Sequence, residues 1–287
     1  MHGDRWATRL VVLELDHVLI AVADLAATAQ EIEVRHGLAS IEGGRHPGWG
    51  TANRIVPLGE AYLELVAIVD EAEAARSPFG RWVAAAHPTL PRPLGWAVRT
   101  HKLDDIARRL DLTVAAGSRA GRSGQLVRWR LAGIERATAE PSLPFFIEWG
   151  HGTPLPGRAT ATHRAGAVQI AKLRLDGDAD RLATWLGSNR LPITVRPGPA
   201  AVASIVLTGA AGEIVLDADR LRRHETDADR RRTSHLETTS KPDSCGAFVD
   251  AAQRATTHNE AQRGAMESAR QTPFRPKPQA TARPVRR

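Results

Sequence analysis

Two short segments of this sequence share an unusual pattern: YLEL at residues 62–65 and FIEW at residues 146–149 each place a glutamate among apolar residues. Both are predicted to form the last strand of a longer unit, because each follows the same order of a strand, a helix and further strands. A second pair of anchors is Asp24-Leu25 against Leu103-Asp104. The two units repeat in the order of their elements rather than in plain sequence, and an internal repeat of this kind predicts a fold built from two similar modules.

The elements predicted for the first unit are a buried strand over 13–22, a helix from Asp24 to about Gly37, and strands over 53–58 and 62–68. The glycines of residues 43–50 predict an irregular loop in front of these last two strands. A linking helix over 76–87 and a Pro-rich joint follow. The second unit has strands over 94–99, 112–116, 125–131 and 145–149 with one helix around Leu103 to Leu110.

The chain therefore divides into five predicted segments: a first βαβββ module over 10–75, a linker over 76–93, a second βαβββ module over 94–155, a partial third βαββ module over 165–220 and a tail over 221–287. The fold class is α+β. The third segment either extends the sheet or packs on its edge.

The tail differs in composition from the rest of the chain. All seven tryptophans precede residue 186, and apolar residues are rare after residue 220, so the tail is predicted to be disordered. It holds 14 Lys and Arg against 8 Asp and Glu, and thus most of the net charge of +7. Nucleic-acid binding by this basic tail is an alternative, but a solvated extension is favoured because no aromatic residues are interleaved with its charges.

The remaining composition predicts a cytoplasmic protein. A single cysteine, Cys245, excludes an intrachain disulfide, and we recognise no secretory leader. The apolar run over 10–25 is too short and is interrupted by Glu14, Asp16 and His17, so we expect no membrane span. The expected partner is a small-molecule substrate, and the sequence leaves open whether the protein is a monomer or a homodimer.

Three ionisable side chains are predicted to lie among apolar residues on their strands. In a half-buried strand alternate residues share a face, so His17 is predicted to lie with Leu15 and Leu19, Glu64 with Tyr62 and Val66, and Glu148 with Phe146. A carboxylate among apolar neighbours needs a cation, a metal or a proton. One imidazole and two carboxylates suit a divalent metal; the oxygen-rich set favours Mn²⁺, Fe²⁺ or Mg²⁺ and leaves Zn²⁺ or Ni²⁺ open.

Each of these residues also has a structural alternative. His17 taken alone is more typical of a core histidine whose hydrogen bonds are satisfied. Glu64 and Glu148 have arginines such as Arg54, Arg99 and Arg128 as candidate ion-pair partners.

Several longer motifs carry a family resemblance. They are Leu15-Asp16-His17-Val18, Asp24-Leu25, RHPGWGTAN at 45–53, Tyr62-Leu63-Glu64, LGWAVRT at 94–100 and PFFIEW at 144–149. Together they resemble a glyoxalase-like domain of the vicinal-oxygen-chelate superfamily over residues 13–155, with weaker support to 217. The RHPGWGTAN segment is the most distinctive of them.

The resemblance implies paired βαβββ modules that form a cupped mixed sheet around a metal. The superfamily takes its metal ligands from the first and last strands of each module, which maps them to His17, Glu64 and Glu148. The fourth position falls near Gly95 or Trp96, and neither residue can ligate through its side chain. This departure leaves either a three-ligand site or a site that has lost its metal.

Further residues are candidates for the same site. His46 is a candidate acid–base group in a glycine-flanked loop, and Glu148 a second one; the alternative for His46 is a surface turn. The candidates for substrate binding are Trp49, Thr51, Asn53, Tyr62 and Trp96. For the tryptophans the alternative is a place in the core, and for Thr51 and Asn53 it is hydrogen bonding to strand-edge backbone groups.

The resulting hypothesis is a divalent-metal-dependent enzyme, of lyase, isomerase or dioxygenase type, whose metal binds neighbouring oxygens of a small substrate. The alternative is a metal-free protein of the same fold that binds or sequesters a small molecule. The fold does not choose between them.

Overall fold

The structure is a computed structural model, and it describes residues 12–86, 91–120, 126–210 and 212–222. The predicted tail lies outside these ranges from residue 223 onward, as do residues 88–90 of the Pro-rich joint. Within the described ranges no helix has the length and apolar character needed to cross a membrane.

The first module has the predicted βαβββ order. Its elements are β1 (Glu14–Ala21), α1 (Leu25–His36), β2 (Ile41–His46), β3 (Thr51–Leu58) and β4 (Ala61–Ile68). The side chain of Asp24 caps α1 by accepting from the backbone N–H groups of Ala26 and Ala27, and Gly37 ends the helix in the left-handed conformation. The prediction of an irregular loop over 43–50 was wrong for its first half, because residues 43–46 belong to β2. Gly44 pairs with Asn53 of β3, and Gly43 lies at a shift in the register between the two strands.

Two short helices lead to the second module: α2 (Glu71–Ala74) and α3 (Pro78–Ala85). The second module comprises β5 (Arg92–Arg99), α4 (Leu103–Leu110), β6 (Val114–Ala120), β7 (Leu126–Ala132), α5 (Ile134–Ala139) and β8 (Phe145–Trp149). It repeats the βαβββ order, with α5 as an unpredicted addition before the last strand.

The two modules share one curved sheet of eight strands in the order β2-β3-β4-β1-β5-β8-β7-β6. The central strand β1 pairs in parallel with β4 of its own module and antiparallel with β5 of the other. Both faces of these central strands are buried, which explains why they are almost continuously apolar. At the far edges β2 and β6 approach each other, and the Arg119 guanidinium of β6 donates a hydrogen bond to the carbonyl of Gly43 on β2.

The third segment forms a separate sheet. Its elements are β9 (Val168–Asp176), α6 (Ala179–Leu186), β10 (Ile193–Arg196), β11 (Ala201–Gly209), β12 (Gly212–Asp217) and α7 (Ala218–Arg222), with strand order β10-β9-β11-β12. Leu173, Ile205 and Leu207 of this sheet belong to the same core cluster as residues of β1, β4 and β5. The second sheet therefore covers one face of the large sheet; it neither extends that sheet nor packs on its edge, which were the two predicted alternatives.

The large sheet thus has two distinct faces. The outer face packs against α1, α4 and the second sheet, through residues such as Val18, Leu63 and Trp96. The opposite face curves around a hollow and carries a second core cluster that includes Leu19, Val66, Phe145 and residues of α3. Because the inner face has its own lining, it is the face on which a ligand site can form.

Candidate functional site

The floor of the hollow is formed by His17 of β1 and Glu64 of β4. The parallel register pairs His17 with Tyr62 and Leu19 with Glu64, so the predicted grouping of Glu64 with Tyr62 and Val66 is what the structure has. His17 Nε2 lies 3.5 Å from Glu64 Oε2, and both side chains are buried. The two residues are 47 positions apart in the sequence and meet because their strands are neighbours.

The ring of His17 is held from behind by Asp16. Nδ1 of His17 lies 2.6 Å from Asp16 Oδ1, while Trp149 Nε1 donates to Asp16 Oδ2 at 2.9 Å. A carboxylate at Nδ1 assigns the proton to that nitrogen and leaves Nε2 as the free acceptor. The ring also stacks on Tyr62, with centroids 4.7 Å apart. His17 therefore presents Nε2 to the hollow in a fixed orientation.

A bulge in β1 explains how the consecutive residues Asp16 and His17 both contribute to this site. The register between β1 and β5 shifts between Leu15 and His17, and Leu15 belongs to the core of the outer face. The predicted sharing of a face by Leu15 and His17 was therefore wrong, since simple alternation fails across an inserted residue. Only Leu19 shares the inner face with His17 as predicted.

His46 enters the hollow from the end of β2. Its cross-strand partner is Thr51, whose Oγ1 lies 2.9 Å from His46 Nδ1, and its Nε2 lies 3.8 Å from Glu64 Oε1. Burial lowers the pKa of His46 below its usual value of 6.5, against an opposing effect of Glu64 and with a further lowering by Arg119. A neutral imidazole at this place can donate or accept a hydrogen bond.

Asn53 anchors the carboxylate of Glu64. Its Nδ2 donates to Glu64 Oε1 at 2.8 Å, whereas its Oδ1 has no hydrogen-bond partner among the described residues. A Cβ at position 43 would lie 2.0 Å from that Oδ1, so only glycine fits beside Asn53. The glycine that argued against a strand here is thus required by the site.

Arg119 is a site residue that the sequence analysis did not identify. It lines the hollow with only 9% of its surface exposed. A signal for it lies in the neighbouring strand β7. Arg119 pairs with Val127, and Val127 and Trp129 both belong to the inner face, so Arg119 is expected to face the hollow as well. Recognising it required the register between β6 and β7, which the sequence alone did not fix.

The walls of the hollow are aromatic and aliphatic. They comprise Trp49, Phe79, Trp129, Leu131, Ile134, Phe145, Ile147 and Trp149. Burial raises the pKa of Tyr62 well above its usual value of 10.0, so its hydroxyl keeps its proton. The open volume is about 40 Å³, which accommodates about three water-sized groups at about 10–15 Å³ each. The hollow fits the reacting part of a small molecule, enclosed by apolar surface.

Glu148 lies outside the hollow. On β8 the residues that face inward are Phe145 and Ile147, so Glu148 points the other way, as Phe146 does. It accepts a hydrogen bond from Arg130 Nε at 3.0 Å, and Arg130 also binds Asp104. The predicted meeting of Glu148 with His17 and Glu64 does not occur, because strand alternation places it on the opposite face, where an arginine pairs with it.

Trp96 and Gly95 also differ from their expected places. Trp96 is fully buried in the core of the outer face, where its Nε1 donates to the carbonyl of Ser142, so it does not bind a ligand in the hollow. Gly95 faces inward, but a Cβ there would lie 2.4 Å from the ring of Trp82. The position at which the resemblance implied a fourth metal ligand is therefore covered by a tryptophan.

The donor set of the hollow is not that of the predicted metal site. Within the described ranges, no three His, Cys, Asp or Glu side chains are arranged to hold a metal ion. His17 and Glu64 face each other, but the second module contributes Ala97, Phe145 and Ile147 to the same face. The described residues thus do not fit the three-ligand site of His17, Glu64 and Glu148.

Comparison with known proteins gives one family match and several structural likenesses. The sequence model of a family described as "Glyoxalase-like domain" matches residues 15–189. A crystal structure of a hypothetical protein from Staphylococcus aureus aligns with a TM-score of 0.52 at 13% identity, over 71% of this chain and 98% of that one. The comparison with curated proteins finds no match.

Two enzyme structures align less well. A methylmalonyl-CoA epimerase from Mycobacterium tuberculosis gives a TM-score of 0.34 at 21% identity, over 47% of this chain and 86% of that one. A Streptomyces coelicolor methylmalonyl-CoA epimerase variant, in complex with 2-nitronate-propionyl-CoA, gives 0.36 at 19% identity, over 49% and 97%. At these identities the likeness concerns the fold alone.

Proposed function

Because this chain belongs to the glyoxalase-like domain family, we propose that it is an enzyme that binds a small molecule in the hollow and transfers a proton on it, with His17 as the base. One observation carries the proposal: Asp16 holds Nδ1 of His17, which leaves Nε2 directed into a buried, mostly apolar space beside Glu64. An oriented imidazole backed by a carboxylate is an effective general base.

The surroundings of His17 favour this role. Asp16 is buried beside the His17 ring. When His17 takes a proton from the substrate, the negative charge of Asp16 would stabilise the imidazolium that forms. Tyr62 and Phe145 fix the plane of the ring by stacking and edge contact. The base therefore has one orientation before any substrate arrives, which lowers the entropy lost on the way to the transition state.

Glu64 and His46 complete the proposed machinery. Glu64 lies within 3.5 Å of His17 Nε2 and is the natural group to exchange a proton with it or to return one to the substrate. Neutral His46 faces the same carboxylate and would polarise a substrate oxygen by hydrogen bonding. Two proton-carrying groups on one floor suit an isomerisation or an elimination next to a carbonyl group.

Hydrogen–deuterium exchange tests the proposal without a known substrate. The protein is incubated in D₂O with 2-oxobutyrate, acetoacetate and dihydroxyacetone, and loss of the C–H signals is followed by NMR. Wild-type protein should accelerate exchange for at least one compound, and His17→Gln should reduce that rate by about 10²- to 10⁴-fold. His101→Gln, which changes an exposed histidine of the second module, is the matched control. Equal rates in wild type and His17→Gln would remove His17 as the base.

A metal-dependent reaction, including the dioxygenase type, is the second candidate. The observation that favours it is the carboxylate at Nδ1 of His17, since metal-binding histidines are commonly oriented in this way. His17 and Glu64 would hold the ion, which would supply Lewis-acid stabilisation of a substrate oxygen. Metal analysis of untagged protein purified without chelator tests this candidate. Stoichiometric metal that is lost in His17→Ala supports it, and metal-free protein with full exchange activity argues against it.

Binding without catalysis is the remaining alternative, and the aromatic walls favour it. A pure binding protein would retain ligand affinity in His17→Gln and would show no exchange with any carbon acid. Measuring binding and exchange on the same variants separates the two functions.

A further inference from the structure

Arg119 is the one cation of the described residues that lines the hollow, and the fold gives it little to bind. Its guanidinium has five N–H donors, and the structure shows one acceptor for them among the described residues, the backbone carbonyl of Gly43. No carboxylate in the described ranges lies within ion-pair distance of it. Buried arginines are ordinarily paired with an acid, because a buried charge without a partner is costly.

The position of Arg119 directs its remaining donors toward the ligand space. Its side chain borders the cavity together with Glu64, His46 and the aromatic walls. The bond to Gly43 anchors the guanidinium across the gap between the edge strands β6 and β2, at the border of the hollow. The fold thus holds a positive charge at the wall of a space that is otherwise mostly apolar.

From this placement we propose that the molecule bound in the hollow carries a carboxylate, and that Arg119 binds this carboxylate. The inference rests on the proposed function in that it concerns the same hollow, and it names the class of substrate. Two features select a carboxylate over a phosphate. The planar guanidinium fork matches a planar carboxylate, and a single arginine beside Glu64 neutralises one negative charge but not two.

The proposal also assigns different tasks to the two modules. The second module, through Arg119, would hold the charged end of the substrate. The first module, through His17 and Glu64, would act on the adjoining carbon. The small open volume agrees with a short chain between the carboxylate and the reacting carbon.

The experiment compares acetate with acetamide, which have nearly the same shape but differ in charge. Binding is followed by the fluorescence of the tryptophans that line the hollow, at constant ionic strength maintained with chloride. Wild-type protein should bind acetate at least about tenfold more tightly than acetamide, since a hydrogen bond to a charged group is worth more than a neutral one. In Arg119→Gln this preference should fall to near one. Arg128→Gln removes an exposed arginine from the neighbouring strand β7 and should retain the full preference.

Two results would overturn the inference: equal affinities of the wild type for acetate and acetamide, or an undiminished preference in Arg119→Gln. If Arg119→Gln does not fold, Arg119→Lys carries the test. It keeps the charge but loses the planar fork, and it should bind acetate several-fold more weakly with acetamide unchanged; unchanged acetate affinity would contradict the proposal.

The same titration on His17→Gln separates this inference from the proposed function. Retention of the acetate preference in that variant, together with an absence of exchange in the wild type, would remove the proton transfer and leave the carboxylate site in place.

Discussion

The two βαβββ modules have the same order of elements but contribute different chemistry to the hollow. In the first module β1 and β4 present His17 and Glu64, which face each other at 3.5 Å. In the second, the corresponding strands β5 and β8 present Ala97, Phe145 and Ile147, and Gly95 lies beneath Trp82. The repeat therefore preserves a scaffold and not a site. These four strands give the hollow a polar half from the first module and an apolar half from the second, to which β6 adds Arg119.

The glutamates Glu64 and Glu148 show this difference most directly. Although they stand at matching places in the two sequence motifs, replacing each with glutamine should have different effects on the exchange rate. Glu64→Gln removes a proton-carrying group from the floor, so the exchange rate should fall by about 10²- to 10⁴-fold. Glu148→Gln changes a half-buried group on the outer face and should leave the rate unchanged and stability within about 1 kcal/mol. The NMR exchange assay and chemical denaturation provide the two measurements. A similar loss of rate in both variants would contradict the division of the hollow.

Asp16 has no counterpart in the second module and provides the next largest effect. Asp16→Asn preserves the shape of the residue but removes the negative charge behind His17 and permits the other tautomer. We expect the exchange rate to fall by about 10²-fold with the fold retained. Asp105→Asn, an exposed change on α4, is the matched control. An Asp16→Asn variant with the wild-type rate would show that the orientation of His17 does not depend on this carboxylate.

Much of this architecture follows from the sequence. Apolar alternation and the cap at Asp24 indicated the successive units, and β8 begins and ends where it was predicted. Strand parity correctly grouped Glu64 with Tyr62 and Val66, and in the structure all three lie on the inner face. These features are local, because a strand's own pattern of burial determines which side chains share a face.

The errors arose where local patterns do not suffice. The equivalence of Glu64 and Glu148 rested on matching YLEL with FIEW, but the pairing of Ala97 with Phe145 sets β8 in a register that turns Glu148 outward. The bulge before His17 and the tight fit of Gly43 against Asn53 depend on neighbouring strands. Arg119 joins the site only because β6 and β2, distant in sequence, approach at the edges of the curved sheet.

Gly43 provides a test of how tightly the polar half is built. Gly43→Ala would drive a methyl group to 2.0 Å from Asn53 Oδ1, so β2 or Asn53 must shift, at a cost of about 1–3 kcal/mol in unfolding free energy. Gly198→Ala is the control, because the nearest atom to its Cβ is at an ordinary 3.5 Å and the expected change is within about 0.5 kcal/mol. Denaturant titration of both variants measures the difference. Equal stabilities would show that the site is less closely packed than this contact implies.

The smallest predicted effect concerns the ion pairs that Arg130 forms with Glu148 and Asp104 on the outer face. The hydrogen bond from Arg130 lowers the pKa of exposed Asp104 below its ordinary value of 3.8, so the favourable interaction is complete above that value and is lost as the pH falls through the lower folded-state pKa. In Arg130→Gln the pKa of Asp104 should rise back toward 3.8, as followed by carboxyl ¹³C NMR. Arg108→Gln, which removes the least of the arginine contributions to Asp104, should raise it less. If the pKa of Asp104 is the same in wild type and Arg130→Gln, Arg130 does not pair with this acid in solution, and Glu148 loses the structural role that distinguishes it from Glu64.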